Sequence, residues 1–495
     1  MSGTSWRRAA MAALGAAVTV SGAVMPAGTA HAAVTTAPGV PVTRYAGTNR
    51  YDTAAQVATG TFTTADNVVI ASGASFADAL SGNYLAGNLG APILLTDPTT
   101  LSGETATALG TLKTRSVDVL GGPGAVSDAV VSAIAAMTST NAAGGKITVT
   151  RIFGASRYDT DKAVVETPPA AYVATIGGKK TAMLASGLGF PDALAGGALA
   201  FGAALPILLT DPATLSPQAA AAIHDLGITQ VLILGGPAAV STSVENAVTA
   251  LGVTTVRLAG TTRTGTAAAV ATYAGLTLGW GSAPQQVPTG FPADAVFTHI
   301  NVARGDDAGG GVDALALGPH AGKGKAPIML TASVDDPSAD IYYEVYESTF
   351  DAPTAQGPLA GIGVAGGTGA VSAANAQLIN VATGGGSIGQ MTVTPAAATG
   401  GTTLTATSVD PCPAAPAGSA AFVSVFLLPV GGVKRSDVVS GPIALTGGPF
   451  SMQGQVAIGL SPGQYQSVAS CGVTFPGDPI FYPYAGDLGP MITVT

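Results

Sequence analysis

The chain is poor in charge and in chemically reactive side chains. Only 9% of its 495 residues are charged, against 47% hydrophobic, so there is apolar material for several cores and a length suited to three or four domains. Histidine is nearly missing. Once an N-terminal signal segment is set aside, His224, His299 and His320 remain, none in H-E-x-x-H or another zinc spacing. Serine-bearing turns such as Ala71-Ser72-Gly73 lack the G-x-S-x-G elbow, and the stretch from Gln390 to Thr495 holds no histidine. No catalytic residue, metal or cofactor is expected. Beyond the N-terminus no uninterrupted apolar run reaches the roughly 20 residues that a membrane span needs. Cations are scarce as well, giving a formal net charge of -9, which makes the chain a poor binder of nucleic acid. Glycine is abundant, but the apolar fraction is too high for a disordered or collagen-like chain.

The first 32 residues read as a secretory signal. Arg7 and Arg8 form the positive region, Ala9 to Val24 the apolar region, and Ala30-His31-Ala32 the small-x-small cleavage pattern. A retained anchor helix is the alternative, disfavoured by the Gly and Ser that interrupt the run. Cleavage removes two cations and no acids, moving the formal charge from -9 to -11. The two cysteines, Cys412 and Cys471, both lie in the last hundred residues; in an exported chain their even count predicts a disulfide.

What the chain has instead is repetition. VVIASGASFADALSGNYLAGNLGAPILLTDPTTLS (68–102) returns as AMLASGLGFPDALAGGALAFGAALPILLTDPATLS (182–216), and more loosely as VARGDDAGGGVDALALGPHAGKGKAPIMLTASVDD (302–336). Each copy is preceded by a lead motif reading R-x-x-G-x-x-R-x-x-T, starting at Arg44, Arg151 and Arg257. The lead motifs recur at roughly domain-sized intervals, too long for a solenoid turn.

Within each copy short apolar strands alternate with helices. Strands are expected at Asn67–Ala71, Ala182–Ala185 and Ala295–Val302, then at Ala91–Thr96, Leu205–Thr210 and Ala326–Thr331, and lastly at Val117–Leu120, Gln230–Leu234 and Gly361–Ala365. Helices carrying the word DAL are expected at Phe76–Leu89, Pro191–Gly202 and Val312–Ala321. Polar helices follow at Ser102–Leu112 and Ser216–Leu226, each opened by a serine able to cap it, and another runs from Asp128 to Met137. This grammar predicts α/β modules with mostly parallel sheets whose strand-end loops gather at one edge, where such folds bind ligands. From Gln390 apolar and polar positions alternate between Gly/Pro turns, which predicts an antiparallel sandwich.

The lead motifs, A-S-G-x-x-F-(A/P)-D-A-L, P-I-L-L-T-D-P and L-G-G-P-x-A-V-S together resemble the cell wall binding repeat 2 family. The resemblance implies three tandem Rossmann- or Toprim-like α/β modules in a pseudo-threefold body, at residues 42–140, 149–252 and 255–383. The region 390–495 resembles the Ig-like sandwiches appended to secreted bacterial proteins. The implied function is non-covalent, non-enzymatic anchoring to an anionic secondary cell wall polymer, at the surface of a Gram-positive cell, with the Ig-like domain displayed and its protein partner open. The rivals are a peptidoglycan hydrolase or amidase-associated protein and an adhesion scaffold acting through the Ig-like domain.

The second arginines of the lead motifs, Arg50, Arg157 and Arg263, are the first candidates for ligand contact, since a guanidinium fork matches phosphate or carboxylate oxygens. The competing reading pairs each with an acid of its own fold, such as Asp52, Asp159 or the DAL carboxylate. Tyr51 and Tyr158 follow two of them. Asp78, Asp192 and Asp313 open the DAL helices, as caps, as arginine partners or as acceptors for sugar hydroxyls. Thr96, Thr210 and Thr331 end the central strands and are candidates to meet the ligand. Gly121-Gly122, Gly235-Gly236 and Gly366-Gly367 serve as tight turns or as backbone donors to an anion. The outer arginines, Arg44, Arg151 and Arg257, are expected mainly to flank the lead strand. The third copy departs from the pattern at Thr264-Gly265 and Arg304-Gly305, which puts its share of binding in question and leaves it a role in closing the trimer.

Overall fold

The structure, a computed structural model, describes residues 40–189, 191–282, 295–305, 311–334, 341, 359–372, 376, 379, 391–408, 420–429, 436–444, 450–456, 460–475 and 478–495. The expected signal segment and Cys412, one half of the expected disulfide, lie outside these residues. No helix of the described residues is long and apolar enough to cross a membrane.

The first copy runs β1 (Val42–Tyr45), α1 (Arg50–Thr61), β2 (Asn67–Ser72), α2 (Ala77–Leu89), β3 (Ile93–Thr96), α3 (Gly103–Thr111), β4 (Ser116–Leu120) and α4 (Asp128–Ala136). The second runs β5 (Thr148–Ile152), α5 (Arg157–Glu166), β6 (Thr175–Ile176), β7 (Lys179–Ser186), α6 (Pro191–Leu194), α7 (Gly196–Gly202), β8 (Ile207–Thr210), α8 (Pro217–Asp225), β9 (Gln230–Leu234) and α9 (Thr242–Ala250). The third comprises β10 (Thr254–Leu258), α10 (Arg263–Leu276), β11 (His299–Arg304), α11 (Val312–Lys323), β12 (Ile328–Thr331) and β13 (Gly361–Ala365). Three expectations shift. The strand expected from Ala295 starts at His299, and the second DAL helix breaks at Ala195 into α6 and α7. Ser216 caps α8 through Ala219 N, whereas Ser102 Oγ makes no cap bond and accepts from Asp97 N instead.

Each copy builds a parallel sheet, and the fourth strand of each sheet comes from the next copy. The orders are β3-β2-β4-β5, β8-β7-β9-β10 and β12-β11-β13-β1, with β6 added antiparallel at β7. The third exchange closes a ring. β1, at the start of the first copy, lies along β13 with Val42 opposite Ile362 and Tyr45 opposite Ala365. Each lead strand is thus the outer strand of its predecessor's sheet, and the helix after it brings the chain back into its own module.

The three DAL helices meet at the centre of the ring. Asn83, Gly197 and Gly318 hold the same position in the repeat, five residues after the DAL aspartate. A Cβ at Gly318 would overlap Asn83 Oδ1, and one at Gly197 would lie 3.2 Å from Asn83 Nδ2. Only one side chain fits where the three helices approach, so two copies carry glycine there. The same crowding recurs one turn on, where a Cβ at Gly322 would sit 2.7 Å from Ala198 O. One apolar core runs through this centre, joining Leu80, Leu85, Leu199 and Leu315 with the strands of the second module.

The C-terminal region is all-β. A three-stranded antiparallel sheet is formed by β14 (Met391–Thr394), β16 (Thr403–Ser408) and β19 (Ser451–Gln455). A five-stranded sheet takes β15 (Ala397–Ala398), β17 (Ala420–Pro429), β18 (Ser436–Ala444), β20 (Gly463–Phe475) and β21 (Asp478–Val494). Met391, Val393, Leu404 and Ala406 alternate inward, as the sequence pattern predicts.

Candidate functional site

Strand exchange accounts for the lead motif residue by residue. Its first arginine staples the turn that ends the neighbouring strand. Arg44 Nη1 donates to Gly366 O and Val371 O, at 2.8 Å each. Arg151 Nη1 donates to Gly121 O (2.8 Å) and Val126 O (2.7 Å), and Arg257 Nη1 to Gly235 O (2.7 Å) and Val240 O (2.9 Å). These are charge-assisted bonds to turn carbonyls, so the outer arginines hold modules together. The glycine of the motif is dictated by the helix that follows. A Cβ at Gly47 or Gly154 would collide with Asp52 or Asp159, and one at Gly260 with the backbone of Gly265. The motif's threonine closes the loop, Thr53, Thr160 and Thr266 each accepting from that glycine's N–H. Asn49, Ser156 and Thr262 cap the helices.

The second arginine opens the helix at the ends of the strands. Arg50, Arg157 and Arg263 each donate through Nη1 to the carbonyl just past the first strand of their own module: Gly73 O at 2.6 Å, Gly187 O at 2.6 Å and Gly305 O at 2.8 Å. Their acidic neighbour is not Asp52 or Asp159. Asp52 Oδ2 takes Thr48 N, and Asp159 is bonded by Ser156 and Gln218. For Arg157 and Arg50 it is the DAL carboxylate of the preceding module, Asp78 and Asp313 respectively, that feels their charge. Burial pushes the Asp78 carboxyl up, and the positive charge of Arg157 offsets part of this. Burial likewise lifts Asp313 to about 6, against the Thr53 hydroxyl and Arg50. The N-cap residues of α2 and α11, Phe76 and Gly311, make no side-chain cap bond, and the carboxylates lie in the first turn. They pack into the Gly-Gly turns: a Cβ would lie 2.5 Å from Asp78 Oδ2 at Gly121, 2.6 Å from Asp192 Oδ2 at Gly235, and 2.7 Å from Asp313 Oδ2 at Gly366. Each of these glycines also has a positive φ, of 97°, 96° and 104°. The junctions of the first module with the second and of the third with the first therefore gather an arginine, a desolvated carboxylate and a Gly-Gly turn at the C-terminal edge of a parallel sheet, and at the remaining junction Asp192 packs into the same kind of turn.

Comparison with known proteins bears on this arrangement. The profile of the cell wall binding domain 2 (CWB2) family matches residues 44–131, 151–245 and 257–376, together more than half the chain. The chain belongs to the CWB2 family. Among curated proteins it is similar to the N-acetylmuramoyl-L-alanine amidase LytC of Bacillus subtilis, 33% identical over 192 residues, which cover 39% of this chain and 36% of that one. It is also similar to the amidase enhancer of Bacillus subtilis, 30% identical over 168 residues, 34% of this chain and 21% of that one. The chain thus spans about a third or less of the length of these relatives. Among solved structures, Cwp8 from Clostridium difficile matches with a TM-score of 0.55 at 23% identity, over 70% of this chain and 52% of that one. Cwp6 from Clostridium difficile matches with 0.55 at 20% identity, over 78% and 56%. At these identities the likeness is one of fold.

Within the CWB2 modules the other expected residues separate. Tyr51 and Tyr158 pack their rings against Gly73 and Gly187, where a Cβ would collide with Cε1 of each. Burial raises both phenols above their usual range, aided by Asp97 and Asp211 respectively. The strand-end threonines are fully buried, which takes them away from any ligand. Thr96 Oγ1 and Thr210 Oγ1 receive Ser102 N and Ser216 N from the loop that folds back over them, and Thr331 lies equally deep. The Gly-Gly turns do not offer their first N–H to an anion, because the lead strand already takes it. Gly121 N donates to Ile152 O, Gly235 N to Leu258 O and Gly366 N to Tyr45 O. In the third module Thr264 hydrogen-bonds Thr262 where the others place a tyrosine, yet Arg263 keeps its carbonyl bond and β13 closes the ring. Sequence reasoning misses Asp161, buried to 2% exposure in α5 where the other copies have Ala54 and Ala267 at the same position of the repeat.

Proposed function

We propose that this protein is a secreted, non-enzymatic anchor whose three CWB2 modules hold an anionic secondary polymer of the Gram-positive cell wall at the module junctions. The observation that carries the reading is the recurrence of one arginine near one DAL aspartate at the strand ends, Arg157 with Asp78 and Arg50 with Asp313. Several such points along a polymer multiply weak contacts into stable attachment, with no single deep pocket required. The C-terminal all-β region is read as an Ig-like domain displayed outward, stapled by Cys412 and Cys471. The names of the curated relatives, an amidase and an amidase enhancer, favour a wall setting for a second reading, a protein that works beside wall hydrolases.

The test is retention on purified cell walls, intact or stripped of secondary polymers, across a salt series. The full chain is expected to bind intact walls and to lose binding on stripping. Rising salt should weaken it as the arginine contacts are screened. Replacing Arg50 and Arg157 together by alanine is expected to lower affinity about a hundredfold, two contacts at roughly 1.4 kcal/mol each. Full binding by that double variant, or undiminished binding to stripped walls, contradicts the reading.

A further inference from the structure

We propose that the junction between the first and second modules is the polymer's primary seat, where Phe153 stacks on a sugar ring whose acidic substituent is held by Arg157. The inference rests on the anchoring reading and adds to it the site and the chemical class of the unit bound: a pyranose carrying, or adjoining, a negative charge.

Phe153 is 51% exposed. Its ring lies against the Gly-Gly turn, with Cδ2 3.2 Å from where a Cβ of Gly122 would stand. The ring thus borders the turn along one side while half of it remains in solvent. Phe153 and Arg157 belong to the same lead motif, four residues apart, and the turn that Phe153 borders also holds the carboxylate that Arg157 influences. Gly121 touches Asp78, Asp78 feels the charge of Arg157, and Arg157 lies 5.9 Å from the centroid of the Phe76 ring and donates to Gly187 O. Leu188, the residue after that carbonyl, is 59% exposed.

Covering the exposed half of this ring would remove apolar surface from water, a favourable contribution to binding. Sugar rings present an apolar C–H face and a polar rim, and an open aromatic face beside an acid and a guanidinium matches both. The other junctions lack this pairing. Ala46 and Ala259 stand where Phe153 does in their lead motifs, and Gly311 stands where Phe76 does in the third module. Arg157 is also the exposed member of its set, while Arg50 and Arg263 are half-buried. Aromatic face and open charge thus coincide at one junction.

The experiment uses the full chain and purified Gram-positive cell walls, intact or stripped of secondary polymers with hydrofluoric acid. Phe153→Ala and Phe153→Leu are expected to weaken binding to intact walls about tenfold, with unchanged thermal midpoints, since the side chain is half in solvent. Phe153→Trp is expected to bind within about twofold of the parent, because the stacking face is kept. If Phe153→Ala binds at full strength while the Arg50/Arg157 double variant does not, the aromatic seat is wrong and the anchoring reading stands. A Phe153→Leu protein that binds like the parent overturns stacking. Equal binding of the parent to intact and stripped walls contradicts the anchoring reading, and the inference with it.

Discussion

Asp161→Asn is expected to stabilise the protein at pH 8 by about 5 kcal/mol and to change little at pH 4. Asp161 sits in α5, packed between α2 and β8, and is 2% exposed. Its Oδ2 receives Leu209 N at 2.8 Å, and the Ser81 hydroxyl lies close enough to act on the carboxylate without forming a hydrogen bond of good geometry. Burial is the main force on the group and lifts its pKa from 3.8 to about 8; the donors at Leu209 and Ser81 push back, and the negative charge of Asp78 adds to the rise. The sign follows from linkage. The folded protein holds a proton that the unfolded chain releases near pH 4, so this contribution is complete below that pH. It is lost as pH rises towards the folded value, about 1.4 kcal/mol per unit crossed. Asparagine cannot ionise, keeps an acceptor for Leu209 N, and offers an amide to Ser81. Thermal unfolding at pH 4, 6 and 8 checks this: the variant's advantage should grow across the series. A variant less stable than the parent at pH 8 would mean that the carboxylate is paired by something else.

Gly318→Ala is expected to destabilise the protein by about 2–3 kcal/mol, although alanine normally favours a helix interior over glycine by about 1 kcal/mol. The added Cβ would overlap Asn83 Oδ1 and lie 3.1 Å from Gly197 O. Asn83 is 1% exposed and has nowhere to move. Among the described residues its one bond is a long one from Nδ2 to Leu80 O at 3.4 Å, and its Oδ1 is unpaired. Asn83→Ala should therefore cost little and should remove most of the penalty of Gly318→Ala. The residue before Pro319 resists helical backbone in both backgrounds, so that strain cancels in the double-mutant cycle. Denaturant unfolding of the four proteins is expected to give a coupling of at least about 1.5 kcal/mol. Additive effects would mean that the three helices do not meet at these positions.

Much of this architecture is legible without coordinates. The apolar runs Gln230–Leu234 and Gly361–Ala365 are strands over those residues, and DAL opens a helix in every copy. Periodicity names an element but not its partner, which is why the exchange of lead strands is invisible in the sequence. Nothing local in Val42–Tyr45 announces a neighbour more than three hundred residues away. The same limit hides the role of the outer arginines, whose targets are carbonyls of a turn in another copy. Thr96, Thr210 and Thr331 are misplaced by sequence reasoning because strand ends in parallel sheets usually face solvent. Only the returning loops with Ser102 and Ser216 cover the first two. Asp161 escapes notice because it follows the motif's threonine, outside the recurring word; its signal is a carboxylate on a helix face where the other copies carry small apolar residues.

The arginine-and-aspartate junctions as the seat of the wall polymer are the centre of this account. Amide hydrogen exchange of the full chain, free and saturated with polymer released from Gram-positive walls, tests it most directly. Protection is expected in the strand-end segments 73–78, 121–126, 153–158 and 187–189, strongest at the junction of the first two modules. Protection confined to the C-terminal sheets, or to the opposite ends of the parallel strands near residues 65–67, 114–116 and 228–230, would contradict it.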